Sequence, residues 1–545
     1  MKVQDAKTLN TQNPDQLIYQ NEILKLTTLG GIKLDGLDRM RVTIKLELLE
    51  SPRPPLRHNL DLYNDNQLEK LIRKTAERLE IGTSLIAASL SELTEQLEKY
   101  RLEQIKNKTP ELPQKKILTA KQVRAAQAFL KEPNLLQRTN ELIGKSGMIG
   151  EETNRLLMYL IFTSRKLRQP LHIVSLGASG TGKTHLQEKV GELIPEEDKI
   201  EITTLSENAF YYFGQRELAN KLILIEDLDG AENVLYPLRE LQSKKRISKT
   251  IAHKNTKGET RTIHLVVEGP VSVSGCTTQE QIYEDNANRS FLIYLDESKE
   301  QDKRIMEYQR KLSAGKIDTQ AEQQAAELLR NAQRILEPVK IINPFAELLQ
   351  IPEEVLKPRR TNNHYLQFIE AVTYYHQFQR EQKVNQNGGE IYIETTLEDI
   401  AQANKLLKEI LLRKSDELTG ACRNYFEKLK LYLLGEEQKI FTNKELSRKL
   451  RIPITTVKRY HLDLLNSGYL KSVKKDKAKG YQYEIVSYDE YKLLSQGIDK
   501  VLDNSLERLK KNLIKKEKPS SPVVAQLQNG LLKEQNNNAL KLVAQ

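Results

Sequence analysis

Residues 177–184 read Gly-Ala-Ser-Gly-Thr-Gly-Lys-Thr, the complete pattern G-x-x-x-x-G-K-[ST]. The apolar run from His172 to Leu176 before it predicts a short buried strand, and Thr184 to Ile194 predicts a helix. Strand, loop and helix in that order are the context in which this pattern cradles phosphate. Gly177, Gly180 and Gly182 let the backbone curl until its N–H groups converge. The loop residues Ala178, Ser179 and Thr181 then line the curl, and the following helix adds its positive N-terminal end. Lys183 is expected on the β- and γ-phosphates and the Thr184 hydroxyl on Mg²⁺. The expected ligand is a nucleoside triphosphate, ATP with Mg²⁺.

Downstream, Leu222-Ile-Leu-Ile-Glu226-Asp227 predicts a buried strand ending in two acids, the form of a Walker B element. Neighbouring side chains at a strand end point different ways. One carboxylate can therefore face the metal while the other polarises water. Glu226 is assigned to the metal and Asp227 to the water, with Asp229 as a third candidate.

The chain has 545 residues, room for about three or four domains. Only 38% of it is hydrophobic, and no apolar run reaches membrane-spanning length, so a cytoplasmic protein without a membrane partner is expected. Two cysteines far apart in sequence, Cys276 and Cys422, imply no zinc framework. The net charge of +11 is unevenly spread. Between Ile440 and Gly480, eleven Lys and Arg face three acids, a local excess of +8 that predicts a polyanion partner.

The expected organisation is an α/β fold in five parts. Residues 1–110 form an α+β module: Val42, Ile44, Leu46 and Leu48 alternate as in a half-buried strand, and a helical pattern runs from Asn66 to about Lys106. Residues 111–300 are the nucleotide-binding core, 301–390 a helical lid, 391–495 a DNA-binding region and 496–545 a flexible basic and polar tail.

Three further features follow the acidic strand. Val271 to Thr278 is a short apolar strand ending in hydroxyls, Arg289 precedes another apolar strand, and Pro358-Arg359-Arg360-Thr opens a helical stretch over Tyr365 to Glu381. This order resembles the AAA+ superfamily, whereas RecA-like ATPases share only the first two elements. The resemblance implies that Thr277 senses the γ-phosphate, that Arg289 is an arginine finger reaching a neighbouring subunit, and that Arg360 (or Arg359) is a sensor 2 residue. The lid aromatics, Tyr365 to Phe378, are expected to be core.

Arg246 to Val267 reads as two strand arms around Asn255-Thr-Lys257-Gly258, a hairpin signal. A hairpin here is similar to the pre-sensor 1 hairpin of the minichromosome-maintenance (MCM) helicases. That likeness implies that Lys254 and Lys257 grip a single DNA strand in a ring's channel, on its phosphates. Roughly residues 15–300 look similar to replication helicases of bacterial mobile elements, including modules attached to primases. A primase zinc motif is absent.

The basic region has the element order of a winged helix. Its third helix, Ile454 to Ser467, would offer Thr455, Thr456, Lys458, Arg459 and His461 to the major groove of a duplex. The wing lysines Lys474, Lys475 and Lys477 would sit on phosphates. The expected protein is a ring-forming, hexameric AAA+ DNA helicase of a phage or mobile element, acting with a primase or other replication proteins. The rival is an AAA+ DNA-binding switch that remodels a protein partner in transposition or transcription without unwinding.

Overall fold

The computed structural model describes residues 9–34, 39–49, 51–108, 115–203, 208–229, 235–254, 260–279, 289–384, 389–476 and 480–517. The chain divides into two compact units, Met1–Gln114 and Lys115–Gln545.

In the first unit, strands β1 (Gln16–Gln20), β2 (Leu24–Leu29), β3 (Arg41–Leu48) and β4 (Leu56–Asp61) form an antiparallel sheet in sequence order. Val42, Ile44 and Leu46 are buried, so the period of two in the sequence is the period of the pleat. Helices α1 (Asp65–Leu79) and α2 (Thr83–Lys108) supply Leu71, Leu79, Ile86, Leu90 and Leu93 to the same core. The expected α+β module is thus present, with its helical stretch interrupted at residues 80–82.

The second unit opens with α3 (Ala120–Leu130), α4 (Leu135–Lys145) and α5 (Glu152–Thr163). Then come β5 (His172–Leu176), α6 (Lys183–Gly191), β6 (Lys199–Ile202), β7 (Lys221–Ile225), α7 (Leu235–Lys244), β8 (Arg246–Lys254), β9 (Thr260–Glu268), β10 (Val271–Thr277) and β11 (Phe291–Tyr294). Five of these strands make one parallel sheet in the order β11-β5-β10-β7-β6. Both of its faces are covered, as a parallel sheet requires. On β7, Leu222 and Leu224 enter the core shared with α5 and α6, while Ile223 and Ile225 enter the core shared with α7 and the base of β8 and β9. The β8–β9 pair is an antiparallel hairpin of its own, inserted between β7 and β10.

Helices α8 (Lys299–Ser313), α9 (Thr319–Ile335), α10 (Pro358–Tyr375) and α11 (Leu397–Lys414) follow, with a small sheet of β12 (Lys340–Ile342), β14 (Ile391–Glu394) and β13 (Lys383–Val384) in that order. Helix α10 begins at Pro358, earlier than the sequence pattern predicts, because a proline at the first helical position is pre-set for the helix, and it ends at Tyr375. Tyr365, Phe368, Tyr374 and Tyr375 are fully buried, which makes them core.

The C-terminal module consists of α12 (Gly420–Gly435), β15 (Ile440–Thr442), α13 (Asn443–Lys449), α14 (Ile454–Asn466), β16 (Leu470–Asp476) and β17 (Gly480–Ile485). Phe426, Leu429, Leu446, Val457 and Leu464 close a core separate from the rest. Two expected boundaries are corrected. Helix α11 belongs with the main body, because Ile400, Ala403, Leu407, Ile410 and Leu411 pack into its core. Residues 496–517 are not a flexible tail but part of α15 (Glu490–Glu517), whose Ile498, Leu502 and Leu509 recur at helical spacing and are buried. The rest of the expected tail lies outside the described residues.

The start of α11 is fastened by a buried carboxylate. Asp399 completes a capping box with Thr396 and accepts from Arg380 Nη2 at 2.5 Å, with His376 Nδ1 at 3.0 Å. Burial alone would raise its pKa, but the hydrogen bonds and charges of His376 and Arg380 outweigh burial and hold the carboxyl well below the usual range. A depressed folded-state pKa adds stability above the unfolded value of about 4, and that stability drains away as pH falls. Asp399→Asn is expected to cost about 3 kcal/mol at pH 7, since it strands a buried guanidinium. Urea unfolding should show the gap to wild type narrowing as pH drops below about 4.

Candidate nucleotide site

Because all five strands run parallel, their carboxyl ends share one edge, and the loop 177–182 rises from β5, beside the central strand β10. Gly180 and Gly182 have φ of 83° and 93°, a left-handed conformation that costs glycine little. Gly182 is the N-cap of α6, so the first free N–H groups of the helix face the interior of the loop. Lys183 is buried, and its Nζ donates to the carbonyls of Gly177 at 2.8 Å and Ala178 at 2.6 Å. The ammonium is thereby held at the centre of the curl.

One cleft of about 500 Å³ brings together Ser179, Gly180, Lys183 and Thr184 with Glu226, Asp227, Asp229, Thr277 and Thr278. The sequence-predicted phosphate, metal and water residues therefore converge. Glu226 is half-buried and Asp227 exposed, with Asp227 Oδ1 accepting from the Asp229 N–H at 2.8 Å. Asp229 has a further role. It accepts from the Thr277 hydroxyl, from the Thr278 N–H at 2.8 Å and from the Thr278 hydroxyl at 2.6 Å. Burial pushes its pKa up, yet these bonds and the Lys183 charge prevail and keep it ionised below the ordinary carboxylate range. Asp229 thus ties the end of β10 to the acidic loop after β7.

Gln187 has no counterpart among the sequence-predicted residues. It is buried one turn beyond Lys183, donating to the Ile225 carbonyl at 3.1 Å and accepting from Ser274 Oγ at 2.7 Å. It pins α6 to β7 and β10 together, fixing the loop against the acidic strand. The legible signal is a glutamine at a position that the helical period assigns to the core.

Thr184, Glu226 and Asp227 are hard oxygen donors in one cleft, which suits Mg²⁺ held by one or two carboxylates together with phosphate oxygens. Among the described residues, no group of three His, Cys, Asp or Glu could hold a metal by itself. The fit is to a metal that arrives with a nucleotide. Cys276, at the back of the cleft, is an inert thiol, its pKa pushed up to about 12 chiefly by burial.

Arg289 and Arg360 are elsewhere. They line one cleft of about 250 Å³ together with His172, Lys245 and His364, and none of its described lining residues is acidic. Arg289 Nε donates to Ser243 Oγ at 2.8 Å. Burial drives His172 down to about 3, with Arg289 adding to the shift. Burial likewise drives His364 to about 3, helped by Lys414, His172 and Arg360. Both rings are therefore neutral, and the cationic character comes from the two arginines and Lys245. His172 is the first residue of β5 and Gly177 follows its last, so this cleft is at least about 13 Å from the chain's own phosphate loop. Arg360 is thus grouped with Arg289 and not with Lys183.

The expected DNA-facing residues divide. Thr455, Lys458 and Arg459 are exposed on α14, whereas Thr456 is half-buried and turned toward the phosphate loop. His461 does not face outward. It is buried against the Tyr425 hydroxyl at 2.6 Å, and burial lowers it to about 4, so it is a core residue. The backbone of Lys474 and Lys475 pairs with Gln482 and Tyr481 in the β16–β17 hairpin, and Lys254 pairs with Thr260 at the distal end of β8. Lys257 and Lys477 lie outside the described residues.

Residues 122–338 match the family described as MTBMA_p00010 P-loop domain, a span that holds the whole parallel sheet. The chain carries a P-loop NTPase domain, which implies nucleotide binding and hydrolysis. No curated protein matches the chain. No helix among the described residues is long and apolar enough to cross a membrane.

Asp229→Ala is expected to release Thr277 and Thr278 and to lower phosphate release about a hundredfold. Binding of a fluorescent ATP analogue should change less than about threefold, because the hydrogen bonds of Asp229 go to the end of β10 and not to the loop.

Proposed function

We propose that this chain is an AAA+ NTPase that assembles into a ring, hexameric in the simplest case, and translocates on DNA to unwind it during replication of a phage or mobile element. The observation that carries the reading is the β8–β9 hairpin inserted between β7 and β10 of a parallel sheet ordered β11-β5-β10-β7-β6. An inserted finger on an NTPase sheet gives hydrolysis a lever outside the nucleotide cleft. The exposed Thr455, Lys458 and Arg459, on a helix followed by the two-stranded β16–β17 wing, support a winged helix that meets duplex DNA.

In this reading Lys183 leaves its loop carbonyls for the β- and γ-phosphate oxygens of ATP, and helix α6 offers its N–H groups to the same phosphates. Mg²⁺, when bound near Thr184 and Glu226, neutralises charge that develops on the phosphate oxygens. Asp227 orients the attacking water. Thr277, held by Asp229, stands at the γ-phosphate. Arg289 and Arg360, too far from their own loop, face the triphosphate of an adjacent protomer and stabilise its developing charge.

Arg289→Ala is expected to bind ATP normally and to lose about a thousandfold in hydrolysis. Mixing it with Lys183→Ala protomers should restore part of the rate, since one supplies the loop and the other the arginine. No recovery at any mixing ratio would contradict the shared site. Translocation rests on the hairpin tip. Lys254→Ala combined with Lys257→Ala is expected to abolish forked-duplex unwinding while basal hydrolysis stays within about twofold. Full unwinding by that variant would favour a DNA-binding switch that does not translocate.

A further inference from the structure

The C-terminal module is not remote from the nucleotide cleft. A second cleft of about 380 Å³ opens beside Gly177 and Ala178, and its far wall is built from α12 and α14. Tyr294, the last residue of β11, and Leu295 after it form one side of it, and Tyr425, Lys428, Thr456 and Tyr460 of the module form the other. The two walls are fastened together. Lys428 Nζ meets Glu297 Oε2 at 3.4 Å, and Gly420 lies so close to the Tyr294 ring that a β-carbon there would stand 2.1 Å from it. The Arg413 guanidinium lies over the Tyr294 ring, 5.0 Å from its centroid.

The position of this cleft constrains what enters it. Glu226, Asp227 and Thr277 fix the γ-phosphate end of a triphosphate toward β7 and β10. The sheet places β11 on the opposite side of β5. A triphosphate laid across the loop must therefore direct its nucleoside toward β11, where the second cleft lies. The chemistry of the walls agrees. Tyr425 and Tyr460 are buried in the module's core with ring centroids 5.1 Å apart, and Tyr425 is locked by its bond to His461, so they give the cleft a rigid aromatic backing beside the hydroxyl of Thr456 and the amide of Asn424. A planar heterocycle with polar edges fits such a cleft, by contact with the rigid wall and hydrogen bonds to Thr456 and Asn424 together.

We propose that this cleft receives the nucleobase and ribose of the bound nucleoside triphosphate, so that the C-terminal module completes the nucleotide site within one protomer. The proposal rests on the triphosphate reading of the loop. It has a consequence for DNA. Helix α14 turns Thr456 to the nucleoside while Thr455, Lys458 and Arg459 of the same helix face solvent, so nucleotide and DNA occupancy are coupled through one rigid element.

The test compares ATP with inorganic tripolyphosphate, which has the phosphates and no nucleoside, on the full chain. Thr456→Trp fills the cleft and is expected to weaken ATP binding by about tenfold or more while leaving tripolyphosphate binding unchanged. Lys183→Ala should lose both ligands. Retention of both by Lys183→Ala would overturn the triphosphate reading itself. Equal ATP affinity in Thr456→Trp and wild type would overturn the nucleoside cleft alone, as would parallel loss of both ligands in Thr456→Trp. Independently of any substitution, photolysis of 8-azido-ATP on the wild-type chain should label peptides containing Tyr425 or Tyr460. Label confined to other peptides would overturn the proposal.

Discussion

The constraint on which the second unit depends is the parallel pairing of five strands. A parallel sheet cannot turn back on itself with hairpins. Each strand must be followed by a crossover, and every strand therefore ends at the same edge. Lys183, Glu226, Asp227 and Thr277 are separated by up to 94 positions in sequence but share one cleft, because each follows or ends a strand of that sheet. The amino ends of the strands share the other edge, and Arg289, Lys245 and Arg360 collect there with two neutral histidines. The two sites are thus chemically opposite, one with three carboxylates and one without an acidic residue among its described lining.

What the sequence reveals follows from how local each signal is. The phosphate loop, the acidic strand end and the hairpin are carried by contiguous residues whose spacing has a direct physical reading, and β5, α6, β7, β8 and β9 are where that reading puts them. The α10 aromatics are core, as their spacing implies. Gln187 and Asp229 are harder to foresee, because their partners, Ser274, Thr277 and Thr278, are brought near only by the order of strands. The same applies to Arg360. Its place in the chain fits a residue serving its own loop, while the packing of α10 against the start of β11, with Phe291 and His364 ring centroids 5.4 Å apart, puts it at the opposite edge. His461 is buried for a simpler reason. A helix of period 3.6 has a buried face, and Val457, His461 and Leu464 occupy it.

The C-terminal module adds a link that no motif announces. Its core is its own, yet α12 and α14 stand against the end of β11 and the start of the phosphate loop. In the function proposed above, one face of α14 meets DNA and another meets the nucleotide cleft, so no long relay between the two is needed. Reciprocity then requires that whatever DNA does to nucleotide affinity, nucleotide does to DNA affinity by the same factor.

We propose that hydrolysis at this site moves DNA. The direct measurement is strand displacement from a forked duplex by the wild-type chain, followed with ATP, with a non-hydrolysable analogue and with no nucleotide. The account predicts displacement with ATP alone. Hydrolysis that DNA stimulates, with no strand displaced at any protein concentration, would contradict it.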